Sequence, residues 1–158
     1  MAKAKVETPK NMDPRFVAGT VVTLEQVSLK YVHLVTPDTE YQEEWSVHCK
    51  IDPSAVEEMR DIGFNVREDD GDGTYWLKVK RKVRTRAGKT QSPPVVQMDD
   101  GTPVTQEPGT GTIADVHLWC KYTDPIQGKV YMGAYLNGVT ISDLKVFGGG
   151  GGANEVKF

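Results

Sequence analysis

The sequence predicts an all-β domain with one helix, its strands forming a small five- to six-stranded barrel of the OB type with a flexible C-terminal tail. Three observations carry that expectation. Short segments alternate apolar and polar side chains, the period of a half-buried strand. Turn formers are plentiful between them, with 16 Gly and 9 Pro in 158 residues. A single good helical signal interrupts the series, between the second and third strands.

Residues 1–15 are polar, contain Pro9 and Pro14 and show no periodicity, which predicts a disordered arm before a domain spanning 16–147. The first strand is expected from about Val27 to Thr36, closed by Pro37 and Asp38, with Val27, Leu29, Tyr31, His33 and Val35 on one face. The second, Glu44 to Ile51, alternates cleanly, with Trp45, Val47, Cys49 and Ile51 opposite Ser46, His48 and Lys50. Asp52-Pro53 then opens the helix: Asp52 can cap, Pro53 suits the first turn, and Gly63 ends it.

The run EDDGDGT is a turn that leads into a third strand from Thr74 to about Arg84. A short edge strand follows over Pro94 to Asp99. Two more strands are expected from Thr112 to Tyr122 and, interrupted by Asn137-Gly138, from Val130 to Phe147. Five glycines, Gly148 to Gly152, link to the tail ANEVKF, so residues 148–158 form a linker and tail. The expected core is Leu29, Tyr31, Val47, Cys49, Ile51, Leu77, Val79, Val116, Leu118 and Leu144.

The charge is sorted. The chain carries a net −3, yet Thr74 to Met98 holds seven basic residues and no acidic one. Period two places Tyr75, Leu77, Val79 and Val83 on one face of the third strand and Trp76, Lys78, Lys80, Lys82 and Arg84 on the other. The cations then recur every ~6–7 Å, near the phosphate spacing of a single strand. Lysines guarding a solvated sheet edge would explain the alternation, but not the exclusion of acids or the outward Trp76. In TIADVHLWCKY the apolar face is Ala114, Val116, Leu118, Cys120 and Tyr122, and the other face carries Trp119 beside Lys121. A half-buried Trp under a loop and a base-stacking Trp both fit that position. Aromatics that stack bases beside cations that follow phosphates are how single strands are held without sequence reading.

The candidate single-strand nucleic-acid contacts are therefore Trp76, Lys78, Lys80, Lys82, Arg84, Trp119 and Lys121, with Lys30, Lys50 and Arg86 outside them. A β-barrel that docks an acidic protein partner is the rival reading. A small metal-dependent nuclease would need clustered carboxylates, for which Asp69, Asp70 and Asp72 are the only source. His33, His48, His117, Cys49 and Cys120 lack paired metal-ligand spacing, and no phosphate-binding loop motif occurs. No enzyme, no cofactor and no metal are expected. No stretch approaches a membrane span and no apolar run follows the N-terminal lysines, so a cytoplasmic protein with reduced thiols is expected.

The chain resembles the single-stranded DNA-binding proteins of T-seven-like phages over roughly residues 27 to 152. The resemblance is carried by YVHLVTPD (31–38), WSVHCKIDP (45–53), DGDGTYWLKVK (70–80), PPVVQMDDGTPV (93–104), GTGTIADVHL (109–118) and GAYLNGVTISDLKVFGGG (133–150). It implies an OB-fold protein that coats single-stranded DNA in phage replication, recombination and repair, inside the host bacterial cytoplasm. It also implies contacts with replication proteins such as DNA polymerase or helicase-primase, and a homodimer is compatible with the glycine linker. The matching contact positions are Trp76, Lys78, Lys80 and Lys82. Where the family carries lysines on the next major strand, this chain has Ile113, Asp115 and His117. Where the family ends in a long acidic tail closed by an aromatic, this chain keeps Phe158 but has only Glu155 and Lys157 beside it. Phe158 is thus expected as a partner-docking end with little power to compete for the DNA groove.

Overall fold

The computed structural model describes residues 12–39, 43–69, 71–85, 87–125 and 127–146. The expectations for residues 1–11, Asp70, Arg86, the glycine linker and Phe158 lie outside them.

Among the described residues, two helices and seven strands follow in the order α1 (Pro14–Ala18), β1 (Thr20–Asp38), β2 (Glu44–Ile51), α2 (Pro53–Ile62), β3 (Arg67–Glu68), β4 (Tyr75–Lys82), β5 (Val95–Met98), β6 (Ile113–Tyr122) and β7 (Met132–Asp143). The strands lie in the order β3-β4-β2-β1-β6-β7-β5, and β4 also pairs with β7. That extra pairing, parallel at Lys80 and Tyr135, closes β1, β2, β4, β6 and β7 into a five-stranded barrel. β3 and β5 are short outer strands, on β4 and β7 respectively.

Alternation positions the barrel wall where it is unbroken. Along β4, Leu77 and Val79 are buried while Lys78, Lys80 and Lys82 are exposed. In β6, Ala114, Val116, Leu118, Cys120 and Tyr122 all enter the core. Asp52 caps α2 by accepting the Ser54 N–H at 2.9 Å, and Gly63 ends the helix at φ +126°, a value that other residues rarely take.

The expected core is buried at Leu29, Val47, Cys49, Ile51, Leu77, Val79, Val116 and Leu118. Leu144 packs against it half-buried. Tyr31 is a correction: it is 61% exposed. The pairing of β1 with β2 slips between Lys30 and His33, and Tyr31 sits at that bulge with φ +51°. The extra residue reverses the faces beyond it, so Leu34 takes the core position in place of His33 and Val35.

β1 is also longer than expected, because Thr20–Gln26 pairs with β6. A second slip, between Leu24 and Val27, hides this half from a period-two reading. Past the Tyr31 bulge, the Glu107 carboxylate accepts the N–H groups of Leu34, Val35 and Thr36 at 2.7, 2.9 and 2.9 Å. The far end of β1 is thereby anchored to the loop before β6.

The helix α1 was not expected, and it takes Pro14 and Arg15 out of the anticipated arm. Asp13 caps it and Gly19 closes it, the same punctuation as α2. Its Phe16 packs edge-on against Phe64 at 5.7 Å and Tyr122 at 6.1 Å, beneath the barrel.

Urea unfolding tests the reversed face of β1. Leu34→Ala is expected to cost about 2–5 kcal/mol. Glu107→Ala is expected to cost about 1–3 kcal/mol through the partly buried N–H groups of Leu34 and Val35 that it leaves unpaired. A Leu34→Ala cost below about 0.5 kcal/mol, the level of ordinary surface changes, would restore the unbroken alternation.

Candidate nucleic-acid interface

Barrel closure brings two separate parts of the sequence together. Tyr135 on β7 lies opposite Trp119 on β6, and on its other side pairs with Lys80 on β4. The three strands therefore present an outward row of two aromatics and a cation. Trp119 is 38% exposed and Tyr135 is 49% exposed. With Lys80, Arg81, Lys82, Gln91 and Asn137 they line an open groove of about 620 Å³.

Glycines seat both rings. A Cβ on Gly133 would stand 2.7–2.9 Å from the Tyr135 ring and hydroxyl, so the ring lies down over that residue. Trp119 lies over Gly19 in the same way, and Gly19 has φ +97°. Each aromatic is thus braced on one side by bare backbone and open on another, as a stacking platform requires.

The cations differ in how they are held. Glu44, buried at the start of β2, places its carboxylate 3.4 Å from the Lys78 ammonium and 3.9 Å from that of Lys80. Arg81 points to the loop, donating from Nε to the Ser92 carbonyl at 2.7 Å. Lys82 and Arg84 are exposed, and Arg84 begins a hairpin through its bridge to Thr90. Lys121, exposed two residues beyond Trp119, shares its face of β6.

The remaining expected residues form a second cluster. Trp76 on β4 is half-buried opposite Lys50 and Arg67. The Lys30 ammonium lies 4.0 Å from the Trp76 ring centre, 5.2 Å from that of Tyr31 and 2.6 Å from the Asp69 carboxylate. Lys30 is only 14% exposed and already carries an anionic partner. Lys30, Tyr31, His48, Arg67, Asp69 and Trp76 surround a cleft of about 350 Å³. So the structure joins Lys80, Lys82 and Trp119 in one place, Trp76 and Lys30 in another, and sets Lys78 between them.

Sequence reasoning missed Tyr135 and Tyr31. A signal existed for the first: Tyr135 stands between Ala134 and Leu136, so period two turns it away from the core face that Leu136 occupies. None existed for Tyr31, whose exposure depends on the bulge. Farther along the same outward face of β6, His117 lies between Thr23 and Thr140, and Asp115 accepts from Gln26. At Asp115 and His117 the side chains serve hydrogen bonds between strands. Burial pushes the thiols of Cys49 and Cys120 up to about 12. Among the described residues no three His, Cys, Asp or Glu side chains converge on a metal position.

Burial, then the charges of Lys78 and Lys30 and the neighbouring His33, hold the His48 imidazole down at about 4. The unfolded chain takes up this proton near 6.5, above the folded value, so His48 costs stability as pH falls from about 6.5 to 4 and nothing above that window. Denaturant midpoints measured from pH 7 to pH 4 should fall less steeply in His48→Asn than in the native chain. Parallel slopes would show that His48 is protonated in the fold.

By sequence alone, no protein family and no curated protein matches the chain. By structure it is similar to gp2.5, a single-stranded DNA-binding protein encoded by bacteriophage T7, at 19% identity and a TM-score of 0.57, over 83% of this chain and 90% of that one. It is also similar to the single-stranded DNA-binding protein from bacteriophage Enc34 in its complex with single-stranded DNA, at 12% identity and a TM-score of 0.56, over 90% and 98%. The Enc34 protein alone gives 15% and 0.54, over 82% and 85%. Across most of its length the chain has the OB barrel fold of these phage single-stranded DNA-binding proteins.

Proposed function

We propose that the protein binds single-stranded DNA without strong sequence preference and acts in phage DNA replication, recombination and repair. The observation that carries this reading is the juxtaposition of exposed Trp119 and Tyr135 with Lys80 and Lys82 around one open groove. Bases stack on the two rings because every base has a flat apolar face, and the β4 cations meet the phosphates. The strand crosses the barrel from β6 over β7 and β4, so Lys78 and Lys80 face successive phosphates as their bond to Glu44 loosens. Its role is binding rather than catalysis, and the phage relatives in structure support that class. Replication proteins such as the polymerase or helicase-primase are the partners proposed for the chain end at Phe158. Loss of their binding on deleting residues 153–158 is the expected result, and unchanged binding removes that role.

Tryptophan fluorescence titrated with oligo(dT) and with duplex DNA at several salt concentrations tests the reading. Quenching by oligo(dT) well above that by duplex is expected. Trp119→Ala and Tyr135→Ala should each weaken binding by about 5- to 100-fold, the range of one lost stack. Lys80→Ala and Lys82→Ala should each reduce the salt slope by about one. Equal binding of duplex without quenching, or no binding, would instead favour a barrel that docks an acidic protein.

A further inference from the structure

Tyr31 is the large aromatic of β1, and its ring lies outside the barrel core. It adopts φ +51°, a conformation that a bulky residue occupies only under strain and that Gly or Asn would fill at a bulge without cost. Gln26, at the other bulge of β1, has φ +50° as well, but its strain is repaid locally. Gln26 donates from its backbone N–H and its side-chain amide to Asp115 at 2.8 and 3.0 Å, and accepts from Ser142 at 3.0 Å. Tyr31 makes no side-chain hydrogen bond among the described residues and remains 61% exposed. A strained ring that stands outside the core, against the Lys30 ammonium and the His48 imidazole, is the kind of outlier that marks a binding position.

Its surroundings suit a base. The ring meets the His48 imidazole edge-to-face, with centres 5.0 Å apart and planes at 82°. The cleft beside it, about 350 Å³, is lined by Trp76 and Arg67 as well as by the Lys30–Asp69 pair. The path to the groove is short. Tyr135 pairs with Lys80, Lys80 with Ser46, and Ser46 with His33, so three strand steps of ~4.8 Å and two residues along β1 separate the two aromatic stations. Lys78 and Lys80 stand between them.

We propose that Tyr31 is a second stacking platform, receiving an unpaired base of the same strand about two to three nucleotides beyond the Trp119–Tyr135 groove. This rests on the single-strand reading above and adds the direction and minimum length of the bound segment.

The test is a length series of oligo(dT), from three to ten nucleotides, bound to the full chain and to Tyr31→Phe, Tyr31→Ala and Tyr31→Gly. The native chain and Tyr31→Phe should gain an affinity step of about 5- to 100-fold once the oligonucleotide spans both stations, and Tyr31→Ala and Tyr31→Gly should lose that step. All four should bind the shortest oligonucleotide alike. Tyr31→Gly relieves the positive φ, so its unfolding midpoint should equal or exceed the native one, which separates lost stacking from lost folding. The same length dependence in all four proteins would overturn the role of Tyr31 and leave the groove intact. A native chain that binds no oligonucleotide would overturn both.

Discussion

The barrel closes through one parallel pairing, between Lys80 of β4 and Tyr135 of β7, and the candidate site exists only because of it. Before closure the basic strand and the aromatic strands are remote parts of the chain. Closure spares β4 and β7 an exposed edge where they meet, and the same contact sets a cation beside two rings. Barrel closure and the candidate site therefore share one constraint. The register of β7 must bring Leu136 into the core and Tyr135 to the surface at the level of Lys80, since a slip of one residue would exchange them.

Electrostatics divide the work between holding the cations and presenting them. Glu44 and Asp69 are the fold's own counter-ions for Lys78, Lys80 and Lys30. A buried carboxylate between two lysines lowers their mutual repulsion in the free protein and fixes their direction on β4. Lys82 and Arg84, without such partners among the described residues, carry the more open charge. The Glu44 carboxylate therefore already neutralises part of the charge that Lys78 and Lys80 present.

Much of this was legible in the sequence wherever strand periodicity ran unbroken. The inward sets of β2, β4 and β6, the Asp52–Gly63 helix and the outward Lys78, Lys80, Lys82 and Trp119 follow from period two and from capping chemistry. The failures have physical causes. Positive φ at Gln26 and Tyr31 each shift the phase of β1, and no residue type there announces it, because Gln and Tyr are not bulge formers. The helix α1 carried the same Asp-Pro and Gly marks as α2, but five residues are too few to show helical periodicity. The separation of Trp76 from Trp119 was invisible for another reason: neighbours across a barrel are decided by register between strands, which no single strand encodes.

The two bulges of β1 also explain why so long a strand is strained at all. β1 pairs with β6 through its first half and with β2 through its second, so it has to bend around the barrel, and bulges are the local means of bending a strand. The bend is needed at both places, yet the residues chosen differ. At Gln26 the side chain completes hydrogen bonds to Asp115 and Ser142 and the bend becomes part of the sheet. At Tyr31 the chain accepts strain, gives up a core position to Leu34, and leaves an aromatic ring facing outward above Lys30 and His48. Stability alone would select Gly or Asn at such a residue.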